Sequence, residues 1–252
     1  MLTNGELRFM RDVLVECRTV FDVGANVGDW TALALGINPT LTVHCFEPSE
    51  ATYQRLLARA FPGSVICNDF GLDSVRGERS LYVYEEGAGI NTLYRREGLE
   101  DSHGLLPPER VEVVQLETVD SYCLERGIEE IDYLKADVEG HELEVFRGAS
   151  RMLKAGRIRI VQFEYGGCNI DSRVLLKDFF TFFSQYGYRL HKLYPEKLRH
   201  MARYDQRLEN FHYQNWIAVK VGSSVAGVGL REGLSDSQGG GSQAGTGSEQ
   251  AT

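Results

Sequence analysis

At 252 residues, 42% hydrophobic and 25% charged, the chain has the size and composition of an ordinary globular protein, one large domain or two small ones. A formal net charge of −9 argues against a broad phosphate-binding surface, so nucleic acid is a poor substrate candidate. No apolar run is long enough to cross a bilayer, and the opening 1–11 lacks the basic start and apolar block of a signal peptide, so the expected location is the cytoplasm with no membrane partner.

Leu7, Met10 and Leu14 mark an amphipathic opening helix. An apolar strand over 20–23 stops at Gly24, and a helix is predicted over 27–35 with Trp30, Leu33 and Ala34 inward. A second strand, 42–46, precedes a helix over 49–61 with Ser49 as its N-cap, and 65–67 reads as a third strand. The rhythm then breaks: 80–84 and 111–116 are predicted as antiparallel strands around an irregular loop, before helix returns over 119–125. Strand 131–136, one helix over 143–153 ended by Gly156, and strand 158–164 follow. Leu175, Phe179, Phe182, Phe183 and Tyr186 define a last helix closed by Gly187, with strands at 188–193 and 216–220. Strand–helix alternation predicts an α/β fold with a mostly parallel sheet covered on both faces. The last two strands lack a helix between them, which suits an antiparallel edge pair. From Val221 on, Gly, Ser, Gln and Ala dominate, and so apolar-poor a segment is expected to be a disordered tail, 221–252, behind a domain at 1–220. The five cysteines (Cys17, Cys45, Cys67, Cys123, Cys168) form no C-x-x-C pair, which predicts reduced, mostly buried thiols.

In such sheets ligands bind beyond the carboxyl ends of the strands, and three segments there carry ionisable groups. The first is Val-Phe-Asp-Val-Gly-Ala-Asn-Val-Gly at 20–28. Gly24 and Gly28 permit tight turns and close backbone approach, while Asn26 stands where a dinucleotide fingerprint requires glycine. Asp22 beside this loop disfavours an anionic ligand and suits a cation such as an amino acid's ammonium group. The second is His-Cys-Phe-Glu-Pro-Ser at 44–49. Glu47 lies about twenty residues beyond the loop, where a carboxylate accepts both hydroxyls of a ribose, and Pro48 fixes the chain before the next helix. A solvated strand-end charge is the plainer account of Glu47. The third, 132–142, crowds Asp137, Glu139, His141 and Glu142 into one strand-to-helix turn, where pKa values shift and a hydroxyl proton can be taken. Against that stands the reading that Glu142 and Glu144 are first-turn acids favoured by the helix dipole and that Glu139 or His141 caps backbone.

Phe-Asp-Val-Gly-Ala-Asn-Val-Gly (21–28), Phe-Glu-Pro (46–48) and Leu-Lys-Ala-Asp-Val-Glu-Gly-His-Glu (134–142) resemble the FkbM-type methyltransferases, as do Gln-Phe-Glu-Tyr at 162–165 and Trp-Ile-Ala at 216–218. Ala136 departs from the family's usual isoleucine or leucine. The resemblance implies a class I methyltransferase (Rossmann-like) fold: seven strands, with the last two an antiparallel edge pair. It implies S-adenosylmethionine as donor, held by Asp22, Gly24, Ala25, Asn26 and Gly28 at the methionine end and by Glu47 and Pro48 at the ribose. The expected acceptor is a small molecule, a sugar or natural-product hydroxyl. His141, whose unperturbed pKa lies near neutrality, is the expected base, with Asp137 orienting and Glu139 assisting.

Asp137-Val-Glu-Gly replaces the Asn/Asp-Pro-Pro-aromatic turn of base N-methylating enzymes, which favours oxygen over nitrogen as acceptor atom. Competing readings are a nicotinamide-dependent reductase or epimerase, for which Tyr188 and Lys192 form a Tyr-x-x-x-Lys pair, and a non-catalytic S-adenosylmethionine-binding module. Asp137, Glu139 and Glu164 are hard oxygen ligands of the kind magnesium takes, but satisfaction by backbone and Lys135 is preferred and no metal is assigned. The loop 87–108 and the segment 194–213, rich in Arg, Lys, His and Tyr, are candidate walls of an acceptor pocket.

Overall fold

The computed structural model describes residues 4–85, 87, 89–96 and 107–223. The stretch 224–252, nearly all of the expected tail, and 97–106, the middle of the expected acceptor loop, lie outside the described residues. The main sheet has the order β10-β9-β11-β8-β7-β1-β2-β3. Its strands are β1 (Thr19–Val23), β2 (Thr42–Phe46), β3 (Val65–Asn68), β7 (Ile131–Ala136), β8 (Ile158–Tyr165), β9 (Tyr188–Leu193), β10 (Leu198–His200) and β11 (Gln214–Lys220). β3, β2, β1, β7 and β8 run parallel, and β11 lies antiparallel between β8 and β9. All seven expected strands are present. An eighth, β10, pairs antiparallel with β9 and forms the actual edge; its polar Leu-Arg-His triplet carries no apolar alternation to announce it.

Alternate side chains separate onto two faces, as the pleat requires. Phe21, Leu134, Phe163 and Trp216 join one core cluster, where Phe163 stacks on Phe179 with ring centroids 4.4 Å apart. Val20, Tyr133, Ile160 and Ile217 join the other, covered by α1 (Glu6–Val13) through Phe9, Met10 and Val13 and by α2 (Asp29–Ile37) through Trp30 and Ala34. The remaining helices are α3 (Glu50–Leu57), α4 (Val119–Arg126), α5 (Glu142–Arg147), α6 (Ser150–Lys154), α7 (Cys168–Ser172) and α8 (Leu176–Gln185). Among the described residues no helix is long and apolar enough to cross a membrane.

Two local expectations are corrected. The single helix predicted over 143–153 is broken into α5 and α6 at Gly148, where a Cβ would stand 2.0 Å from the carbonyl oxygen of Asp73. Asp120 then receives the N–H groups of Arg151 and Met152 that open α6. Ser49 does sit at the N-cap of α3, but its hydroxyl makes no capping bond.

Between β3 and β7 the chain forms a second sheet, β4 (Gly71–Leu72), β6 (Arg110–Glu117) and β5 (Gly77–Val83), with β5 and β6 antiparallel as expected. The chain leaves β1 toward β2 on one side, and β7 adds on the other. The crevice between the ends of β1 and β7 is therefore the topological switch point, where ligands of doubly wound sheets bind.

Candidate active site

A cavity of about 350 Å³ opens at this switch point. Gly24 and Asn26 after β1, Glu47 and Pro48 after β2, and Asp137, Glu139 and His141 after β7 all line it. Gly24 has φ +76°, and a Cβ on it would lie 2.0 Å from the carbonyl oxygen of Asp137, so the two motif turns pack backbone against backbone. The small sheet forms an apolar wall through Leu72, Leu81 and Leu116.

Glu47 is buried, with Oε1 accepting from the Ser49 N–H and Oε2 from the Asn26 N–H, each at 3.0 Å. Burial pushes its pKa up to about 7 against those two bonds. Each oxygen keeps a further lone pair for a ligand hydroxyl. Asn26 and Thr52 also line the cavity, while their side-chain oxygens are buried without a partner among the described residues.

Asp137, Glu139 and Glu164, from the ends of β7 and β8, bring one oxygen each within 4.8 Å of one another. Burial, with Asp137 and Glu139 beside it, lifts Glu164 to about 11, so it holds a proton. Burial would raise Asp137 too, but the Lys135 ammonium 3.4 Å away and the hydrogen bond with Glu164 bring it below the usual value. Burial raises Glu139 to about 7, with its partner Arg96 opposing and Asp137 reinforcing the shift. Glu139 also has a left-handed backbone, φ 55°, a conformation that costs energy for any residue but glycine and collects at functional turns.

That turn is held from two directions. Behind it, Oε1 of the fully buried Glu142 accepts from the N–H groups of Val138 and Gly140, so Glu142 is a structural clasp rather than a solvated first-turn acid. In front, alternate residues of one extended strap engage it. Thr92 donates to the Glu139 carbonyl at 2.8 Å, the Tyr94 hydroxyl meets His141 Nδ1 at 2.9 Å, and Arg96 pairs with the Glu139 carboxylate.

Three expectations need correction. His141 lines the cavity, but its ring is buried; Nδ1 meets the Tyr94 hydroxyl, and Nε2, without a hydrogen-bond partner among the described residues, faces the Asp73 carboxylate at 3.4 Å. Asp73 is itself 2.7 Å from Arg79 Nε. His141 therefore pins the small sheet and strap to the turn instead of offering a free base. Asp22 does not reach the cavity. The β1–β7 register sets it beside Lys135, and its fully buried carboxylate accepts from Lys135 Nζ at 3.2 Å and Thr31 Oγ1 at 2.7 Å. Ala25 and Gly28 also stand behind the surface: Ala25 is buried in the core, and a Cβ on Gly28 would strike Leu56 and Phe61. Of the expected donor-binding set, Gly24, Asn26, Glu47 and Pro48 line the cavity. The Tyr188–Lys192 pair lies along β9 and neither residue lines it.

Glu164, known from the sequence only as a candidate ligand, and Tyr213 complete the wall. No sequence signal pointed to Asp73 or to the pairing of Arg96, because both depend on the second sheet folding over the turn.

With this geometry in view, the family model of the methyltransferase FkbM domain matches residues 22–190. The chain belongs to the FkbM methyltransferase family. It is 27% identical to a hexuronic acid methyltransferase, AglP, of Haloferax volcanii, over 68% of this chain and 66% of that protein. It is 30% identical to the 31-O-demethyl-FK506 methyltransferase FkbM of Streptomyces tacrolimicus, over 51% of this chain and 58% of that protein. The chain thus spans less than two thirds of these curated relatives. Among solved structures, a methyltransferase FkbM from Methylobacillus flagellatus KT superimposes with a TM-score of 0.51 at 13% identity, covering 80% of this chain and 43% of that one. That likeness establishes the shared class I, Rossmann-like α/β fold.

Proposed function

We propose that the chain transfers a methyl group from S-adenosylmethionine to a hydroxyl oxygen of a small molecule, a sugar or sugar-containing natural product. The observation that carries this reading is Glu47: a buried, doubly anchored carboxylate lining the switch-point cavity and matched to a ribose diol. Asp137, held ionised beside Lys135, and deprotonated Glu139 give the far wall the negative character that suits a sulfonium and an ammonium group, while Glu164 is neutral. The relatives named for hexuronic acid and 31-O-demethyl-FK506 support a small-molecule acceptor.

The donor supplies an electrophilic methyl group on a cationic sulfur. The chain contributes mainly position, since an in-line displacement is accelerated most by holding the reacting atoms together. Leu72, Leu81 and Leu116 exclude water from that side. Glu139 is the base in this reading. Arg96 holds its Oε2, leaving Oε1 for the acceptor proton. Asp137, accepting the hydrogen bond of protonated Glu164, orients the hydroxyl. Such a base adds about 10²–10⁴-fold.

Calorimetric titration with S-adenosylhomocysteine and mass detection of methyl transfer to sugar acceptors test the proposal. Absence of binding would overturn it. The spacing of Asp137, Glu139 and Glu164 also meets the requirement for a divalent cation. Loss of turnover with a chelator, restored by magnesium, would reassign these acids from proton transfer to ligation.

A further inference from the structure

A second pocket, about 280 Å³, opens at the same end of the sheet, where β9 finishes and β11 begins. Tyr213 lines both it and the switch-point cavity, and Asn215 holds the Tyr213 hydroxyl at 3.3 Å. The two are therefore consecutive compartments along one edge. Their chemistry differs. The first is lined by Glu47, Asp137, Glu139 and Glu164; the second has no acidic residue in its lining. Amide side chains of Asn210, Gln214 and Asn215 and the rings of Tyr194 and Tyr213 line it instead. Gln214 donates to Asn210 Oδ1 at 2.6 Å and Asn215 Oδ1 accepts from Gln162, while the buried Gln214 Oε1 has no partner among the described residues. The cation in this lining, Lys192, has no ion pair among the described residues, and its ammonium lies 5.4 Å from the Tyr194 ring and 6.0 Å from the Trp216 ring. The family match ends at residue 190, before all of these C-terminal lining residues.

Resting on the methyl-transfer reading, we propose that this pocket is an acceptor subsite for a sugar residue bearing an oxyanion. The tyrosine faces and the Asn210 amide N–H take the ring and hydroxyls, and Lys192 takes the charge. Aromatic faces with convergent amides serve a polyol, which offers both apolar C–H faces and hydroxyls. A half-buried ammonium with no carboxylate to neutralise it favours an anion, by a charge-assisted hydrogen bond. The shared Tyr213 wall sets the charged residue beside the methylated hydroxyl rather than at it.

The test is binding of methyl glucuronide, glucose 6-phosphate and methyl glucoside to the full chain, by titration with and without S-adenosylhomocysteine. One or both charged sugars are expected to bind about ten-fold more tightly than the glucoside, and which one does identifies carboxylate or phosphate as the oxyanion. Lys192→Met should remove that preference and Lys192→Arg should keep it, while S-adenosylhomocysteine affinity stays at the wild-type value in both. Equal binding of all three sugars, no sugar binding, or a preference that survives Lys192→Met would each overturn the subsite. Failure of S-adenosylhomocysteine alone to bind would overturn the donor reading, while the sugar preference still stands or falls by itself.

Discussion

The two compartments at the carboxyl edge of the sheet are built in opposite ways. The switch-point cavity is assembled mainly from contiguous turns after parallel strands, so each contributing residue sits at a fixed offset from its strand end. The second pocket is assembled where an antiparallel strand, β11, is inserted beside β8 and where the irregular segment 194–213 returns to it. The first concentrates carboxylates whose burial lifts most of their pKa values; the second is free of them. The two compartments thus present different electrostatic surroundings on adjacent strands, with Glu164 opposite Asn215.

The sharpest way to break this contrast is Glu139→Gln. Turnover should fall about 10²–10⁴-fold while S-adenosylhomocysteine titrates as in wild type. Wild-type kcat should rise with pH through about 7, because only the deprotonated carboxylate accepts a proton, and the variant should lose that limb. Full turnover in the variant would move the base elsewhere. Next in size is Asp22→Asn. If Asp22 is a counterion behind the cavity, its loss leaves Lys135 with Asp137 alone and costs about 3 kcal/mol of stability in denaturant titration. Wild-type stability with donor binding abolished would instead return Asp22 to the ligand.

Glu47→Gln should weaken S-adenosylhomocysteine about ten- to a hundred-fold. In wild type the affinity should fall as pH drops below about 7, since protonation removes an acceptor from the ribose, and the variant should show a flatter profile. The smallest effect concerns the clasp. Burial raises Glu142 from 4.5 to about 8, so between those values the native state holds a proton the unfolded chain has released. Stability should therefore be fully present below about 4.5 and decline as pH rises toward 8. Glu142→Gln should flatten that decline in melting temperature, and an unchanged slope would show that the clasp is already charged.

The sequence by itself determined the frame and the turns that border the switch-point cavity. Short apolar runs placed the seven strands, and Gly24, Asn26, Glu47, Asp137 and Glu139 were legible because the turns just past parallel strands border the crevice. The tertiary structure decided which ionisable groups stay free. His141 and Asp22 carry the right chemistry at the right offsets, yet the register beside Lys135 seals Asp22, and the docking of the second sheet through Asp73 and Tyr94 buries the ring of His141 and holds its Nδ1. The break at Gly148 was hidden for the same reason: it depends on the carbonyl of Asp73, far away in the chain, and local periodicity has no term for what will pack against a backbone once the chain has folded. β10 was missed because its polar triplet gives no alternation, although it pairs with the neighbouring β9.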